Sequence, residues 1–209
     1  MKKLKTGDLI QQAAADLFQK FGFEKTSMDE IAKKAHKAKR SIYNHFGNKE
    51  ELFCSSAKME IEHIQSRLNE IVSDQNQLIL PRLRQYLLMR VEMLAASGTL
   101  QVAMKNNMLK NDDYRFEDLK QAMQDFITWE HDAFKKVWYA KPTTDTPEQV
   151  ELQANAFADM LQVTLNGLNH TFFVEGKYEQ YKSSYEMLID LIVGSVFQNF
   201  INILSEGNK

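Results

Sequence analysis

Five cations, Lys33, Lys34, Lys37, Lys39 and Arg40, fall within eight consecutive residues. Clustered lysine and arginine suit one task above others, the neutralisation of nucleic-acid phosphates, on which DNA affinity largely rests. Beside them stand Ser41 and Asn44, whose side chains can hydrogen-bond to base edges. Arginine and lysine match guanine O6 and N7, and asparagine matches adenine N6 and N7. Contacts of that second kind, not the phosphate contacts, carry sequence information. Charge alone is met equally well by a solvated basic face, so the elements that position the cluster decide between the two.

Those elements are helical. Ile10, Ala13, Ala14, Leu17, Phe18 and Phe21 recur at steps of three and four, which predicts an amphipathic helix from about Lys5. Gly22 follows at once and suits the left-handed position that ends many helices. Ser27 stands three residues before Glu30, the spacing of a capping box, and starts a short second helix through Ile31 and Ala35. A third short helix spans about Lys39 to Phe46. Asn48 caps a long fourth helix, with Glu50 and Glu51 in its first turn where the helix dipole favours carboxylates. A tight turn between the second and third helices makes this a helix-turn-helix unit, with the basic cluster across the turn and along the third helix.

The remaining chain continues at helical period. Phe53, Ala57, Ile61, Ile64, Leu68 and Ile71 form one stripe, and Leu83, Leu87, Val91 and Leu94 form the next. Further helices run from about Leu100 to Leu109, from Leu119 to Val137 and from Ala154 to Phe172, with breaks at Asn111-Asp112-Asp113 and from Lys141 to Pro147. The last helix, from about Tyr178, is apolar over most of its circumference, so it must be covered on several sides. With only 8 Gly and 3 Pro in 209 residues, an all-β fold is disfavoured. The expected fold is all-α, with a three-helix DNA-binding unit at 1–47 and six helices at 48–209.

Charge is divided in the same way. Residues 1–50 carry a net +5 and the rest a net −7, so only the first segment has an electrostatic reason to approach DNA. The single cysteine, Cys54, excludes an internal disulfide framework and reads as a small helix residue. The basic start of the chain is not followed by an apolar run, and the tract from Leu188 to Leu204 is interrupted by Asp190, Gln198 and Asn199. Neither a signal peptide nor a membrane span is expected, which makes a cytoplasmic location the simple inference. The five histidines, His36, His45, His63, His131 and His170, have no metal-ligand spacing, and no nucleophile motif or phosphate loop is present. Glu130-His131-Asp132 reads as a solvated helix face. No cofactor, metal or enzymatic activity is expected, although a helical interaction module that does not bind DNA is a rival reading.

The stretch from Ile10 to Phe53, IQQAAADLFQKFGFEKTSMDEIAKKAHKAKRSIYNHFGNKEELF, resembles the amino-terminal domain of the tetracycline-repressor (TetR) family. The matching blocks are Phe18 to Gly22, Thr26-Ser27, Ile31-Ala32, Ala35, Ser41 to Phe46 and Lys49 to Phe53. The resemblance implies phosphate contacts from Thr26, Ser27 and Lys49, and backbone contacts from Tyr43 and His45. It places Lys39, Arg40, Ser41 and Asn44 at or near base-reading positions. It also departs from the family pattern. His36 and Ala38 stand where glycine and a capping serine or threonine are usual, and Lys37 replaces a small apolar residue. A less stable turn is therefore expected, with phosphate contacts from Lys37 in exchange.

The same resemblance implies a dimeric regulator, a repressor whose operator is double-stranded DNA and which a small-molecule effector releases. Met59, His63, Met89, Met93, Met104, Met108, Met123, Phe126 and Trp129 are candidate lining residues for that effector. Such a lining suits an apolar or aromatic ligand, although residues of these types at helical spacing are also ordinary core. The homodimer is expected through the last two helices, at Phe157, Leu161, Leu165, Leu168, Val193, Val196, Phe197 and Phe200.

Overall fold

Glycine and capping residues divide the chain where the sequence pattern breaks. The computed structural model describes residues 5–74, 76–109, 113–139 and 145–206, with side chains as far as 195. Among these residues it contains ten α-helices and no strand. They are α1 (Thr6–Phe21), α2 (Met28–Lys34), α3 (Lys39–Tyr43), α4 (Lys49–Ser73), α5 (Ile79–Ala96), α6 (Gly98–Lys105), α7 (Glu117–Tyr139), α8 (Pro147–Asn169), α9 (Tyr178–Tyr181) and α10 (Tyr185–Glu206). The all-α architecture follows the periodicity. The helix expected from Tyr178 is split, because a turn at 182–184 separates the short α9 from α10. The expected breaks at Asn111-Asp112 and over 141–144 lie outside the described residues.

Chain packing forms two compact units, each discontinuous in sequence. The first comprises 1–65 and 94–126, the second 66–93 and 127–209. In the first unit four phenyl rings form the centre. Phe18 on α1 meets Phe53 on α4 edge to face at 5.0 Å, and Phe23 meets Phe53 at 5.1 Å and Phe116 at 5.3 Å. Edge-to-face packing suits the ring quadrupoles and adds to the burial of large apolar area. Around the rings Ile10, Ala14, Ile31, Ile42 and Leu52 are also fully buried. The α1 helix packs against α6 so closely that a Cβ at Gly98 would fall 2.6 Å from Gln19 Cβ. The α6 amino terminus is capped from α4, where the Glu60 carboxylate accepts from the Leu100 and Thr99 amides at 2.9 and 3.1 Å. Burial pushes the Glu60 carboxyl above its usual range, and those two amides pull the other way.

The second unit holds a charge in its interior. Glu130 on α7 is fully buried, and Arg90 on α5 is almost as well covered, with 3% of its side chain exposed. The solvated face expected for Glu130-His131-Asp132 therefore fails at Glu130, while Asp132 is exposed. The Glu130 carboxylate accepts from Arg90 Nε and Nη2 at 2.5 and 3.0 Å, from Tyr86 Oη at 2.8 Å and from Gln162 Nε2 at 3.1 Å. The remaining Arg90 donor, Nη1, reaches Asn169 Oδ1 at 3.0 Å. Burial works against the Arg90 charge, yet the adjacent carboxylate outweighs it and holds the guanidinium in its charged form. Burial, and then the same carboxylate, push the Tyr86 hydroxyl well above its ordinary range. At the end of α8 a π-helical turn, His170–Val174, carries Phe172 and Phe173 into a cluster with Tyr178 and Tyr185 before Gly176 turns with φ +71°.

Removing one member of a buried ion pair strands the other in low dielectric, which costs about 3–5 kcal/mol. Glu130→Ala is expected to lower the stability of the chain by about that amount, read as the shift of the urea-unfolding midpoint. A loss below about 1 kcal/mol, the range of a surface pair, would mean that the guanidinium finds water or another partner.

Candidate nucleic-acid interface

The short α2 starts as its sequence dictates. The Ser27 and Glu30 backbone amides are capped reciprocally, with Ser27 N donating to Glu30 Oε2 at 2.9 Å and Glu30 N donating to Ser27 Oγ at 3.3 Å. Ser27 Oγ also donates to Glu30 Oε2 at 2.7 Å. The Ser27 hydroxyl is thus occupied by capping, although the residue itself is exposed. Helix α2 then ends in a Schellman arrangement. The His36 amide donates to Lys33 O and the Lys37 amide to Ala32 O, which requires a left-handed residue between them. That residue is His36, with φ +51°. Ala38 takes the extended cap conformation before α3 and supplies no side-chain bond to the free amides. Both departures noted in the sequence therefore carry a physical cost here.

Helix α3 has five residues and cannot hold itself. Ile42 is fully buried and Phe46 nearly so, which pins one side of the segment. On the other side Arg40, Tyr43, Asn44 and His45 are exposed, and Ser41 is half-buried. Tyr43 leaves 44% of its surface open. This arrangement offers a hydroxyl, an amide and a guanidinium on a fixed support, the donor set that base edges and phosphates require.

The cations divide into two groups. Lys34 Nζ pairs with Asp16 and Lys39 Nζ with Asp29, both at 2.8 Å. Lys49 Nζ donates to Phe23 O at 2.9 Å and lies 4.3 Å above the Phe23 ring. Lys33, Lys37 and Arg40 form no ion pair among the described residues. Two of the expected phosphate-contact residues lie at the turn after α1. Thr26 is buried, at 2% exposure, and its hydroxyl donates to Gly22 O at 2.8 Å and Leu17 O at 3.3 Å, closing the turn after α1. Lys49 spends its ammonium on the carbonyls of that same turn, so its first role is to tie α4 to it. Asp16 and Asp29 escaped the sequence reading because each pairs with a cation on another helix, a relation that no local spacing encodes.

The expected effector and dimer residues are placed as follows. Met104, Met108 and Phe126 are buried in the first unit, where Met59 and Met123 are half-buried and His63 is exposed. Met89, Met93 and Trp129 are half-buried in the second. None of the nine lines the open cavity of about 640 Å³ beside the start of α4, which is walled by Glu50, Cys54, Lys58, Tyr114, Arg115 and neighbouring side chains. Burial pushes the Cys54 thiol up, away from reactivity. Among the described residues no trio of histidine, cysteine or carboxylate residues could hold a metal, and no helix is long and apolar enough to cross a membrane. Of the expected dimer contacts, Phe157, Leu161, Leu165 and Val193 are buried within the single chain and Leu168 is half-buried. A covered side chain has no area to offer a partner, so those four are core residues. The side chains of Val196, Phe197 and Phe200 lie outside the described residues.

Residues 10–54 match the bacterial regulatory proteins of the tetR family. That match spans α1, α2, α3 and the start of α4. An uncharacterised HTH-type transcriptional regulator, YhgD of Bacillus subtilis, is 51% identical over 45 residues, which are 22% of this chain and 24% of that protein. In that alignment the chain thus spans about a quarter of its relative's length. Two solved structures share the fold over nearly the whole chain. A transcriptional regulator from Rhodococcus sp. Rha1 has a TM-score of 0.70 at 18% identity, covering 93% of this chain and 97% of its own. The SmeT–triclosan complex has a TM-score of 0.66 at 18% identity, covering 91% and 90%. The fold is therefore shared with proteins of very different sequence.

Two substitutions test the turn in the TetR-type domain. His36→Gly removes a left-handed strain of about 1–2 kcal/mol and returns about half of it as unfolded-chain entropy. Ala38→Ser supplies a cap worth about 1 kcal/mol. Each is expected to raise the thermal midpoint of the protein. An unchanged or lowered midpoint in Ala38→Ser would sink the capping account.

Proposed function

We propose that the protein is a dimeric DNA-binding transcriptional regulator, a repressor that an apolar or aromatic small molecule releases from its operator. The observation that carries this reading is the exposed face of α3, where Arg40, Tyr43 and Asn44 project from a buried support inside a TetR-type domain. In this proposal residues 1–47 bind DNA and 48–209 bind the effector and form the dimer. Ser27, Lys37, Ser41 and His45 act with the α3 residues on the phosphate backbone, and the third Lys49 proton remains available to it.

The dimer reading rests on the second unit. On α8 a stripe of Leu152, Ala156, Met160, Val163 and Gly167 is exposed, and on α10 Met187, Leu191 and Gly194 are exposed. Val163 and Leu191 leave 69% and 64% of their surface open. Apolar stripes at helical spacing are costly in water and mark association sites. A Cβ at Gly167 or Gly194 would meet nothing within 4 Å, which leaves room for a close helix approach. A symmetric pairing of α8 and α10 with a second copy would cover both stripes. Val163→Lys with Leu191→Lys is expected to convert a dimer to a monomer in light scattering at micromolar concentration. A wild-type monomer under those conditions would remove this part of the proposal.

For the effector, the half-buried Met89, Met93 and Trp129 of the second unit retain uncovered apolar area. The SmeT structure, solved with triclosan, supplies a relevant probe. A ligand that prefers the DNA-incompetent state must weaken DNA binding by linkage.

The deciding measurement is duplex binding as a function of salt. If Lys33, Lys37 and Arg40 of each protomer each neutralise one phosphate, log K falls against log salt with a slope of about −5 for the dimer. Charge reversal at Lys37 and Arg40 is expected to abolish that binding while leaving the second unit folded. A protein with no measurable duplex affinity at low salt is instead an interaction module.

A further inference from the structure

Two cations begin α3, and the fold treats them differently. Lys39 is held from α2, with its Nζ 2.8 Å from Asp29 Oδ1. Arg40 is exposed and forms no ion pair among the described residues. Four residues on, Asn44 is exposed too and keeps helical backbone angles, φ −74° and ψ −20°, as the C-cap of α3. Residues four apart share one face of a helix. Between them, on the side that packs inward, Ile42 is fully buried. The exposed face of α3 therefore presents a guanidinium and an amide in line, neither paired among the described residues.

We propose that Arg40 and Asn44 are the base-reading pair of this protein, Arg40 on a guanine and Asn44 on an adenine, with Asp29 keeping Lys39 off the bases. This rests on the DNA-binding reading above and makes it specific. The planar guanidinium can donate two parallel hydrogen bonds to guanine O6 and N7, a match that an ammonium cannot copy. A carboxamide can donate to N7 and accept from N6 of adenine in the same way. A four-residue step raises the contact point by about 6 Å along the helix, close to two base steps of about 3.4 Å. Each half-site thus contains a guanine and an adenine within about two base steps, counted on either strand. Lys39 has a different part. Its charge cancels that of Asp29, which would otherwise repel the phosphates beside α3.

The experiment is selection of random duplex DNA by the full-length protein, followed by affinities for the selected site and its single-base variants over a salt series. Arg40→Lys keeps the charge and removes the planar fork. It is expected to lose guanine preference at one half-site position by about ten- to hundredfold, with an unchanged salt slope and thermal midpoint. Asn44→Ala loses adenine preference at a neighbouring position by a similar factor. Lys39→Ala lowers affinity for all sites and keeps both preferences, and Asp29→Asn raises affinity and steepens the salt slope by about 1. Guanine preference that survives Arg40→Lys, or that disappears in Lys39→Ala, overturns the assignment and leaves DNA binding intact. Wild-type protein that enriches no duplex overturns both.

Discussion

The rings of Phe18, Phe23, Phe53 and Phe116 meet at the centre of the first unit, and Lys49 lies over one of them while holding its carbonyl. This packing is what gives the interface a position. A helix as short as α3 has almost no stability of its own, since nucleation costs more than one turn returns. Its orientation is borrowed from the buried Ile42 and Phe46. The Thr26 hydroxyl and the Lys49 ammonium act on the turn between α1 and α2, the first closing it and the second tying α4 to it. Side chains that could have met phosphate are used to set the geometry of that turn.

Electrostatics at the surface obeys a related economy. A dense run of cations costs self-repulsion in the free protein, and pairing Lys34 with Asp16 and Lys39 with Asp29 relieves it. Exposed pairs of this kind are weak, about 0–1 kcal/mol, so they do little for the fold. Their consequence is selective: they lower the number of cations free for non-specific attraction and leave Lys33, Lys37 and Arg40 without such a pair among the described residues. The formal charge of the segment therefore overstates the charge available to DNA.

Much of the fold was legible because amphipathic periodicity reports burial directly. Phe53, Ala57, Ile61, Ile64, Leu68 and Ile71 are all buried on α4, as are Leu83, Leu87, Val91 and Leu94 on α5. The Ser27–Glu30 box was legible for a different reason, since it is dictated within four residues of chain, whereas the unusual place of His36 was legible through the family resemblance. What escaped was whatever depends on another helix. Glu130 looks solvated in its local sequence, and only Arg90, forty residues earlier, makes its burial affordable. On α8 two apolar stripes coexist, one through Ala154, Phe157, Leu161 and Leu165 and one through Met160 and Val163. Hydrophobicity identifies both stripes. It does not say which of them the chain itself covers, and here the larger side chains turn inward.

The buried pair in the second unit raises the question of why a charge is kept in a helical core at all. Arg90 and Glu130 link α5 to α7, Gln162 adds α8, and Asn169 closes the set at the end of that helix. Well-packed apolar residues would often serve stability as well or better. A network of directed hydrogen bonds differs in admitting one arrangement, because sliding any of the three helices breaks a bond to a fully buried carboxylate. Apolar contacts between helices tolerate such slips at small cost. The network therefore fixes the register of α5, α7 and α8 within their unit. Because α8 carries the exposed stripe at Met160 and Val163, it also fixes the angle at which that stripe faces solvent, which is the property a symmetric interface has to conserve.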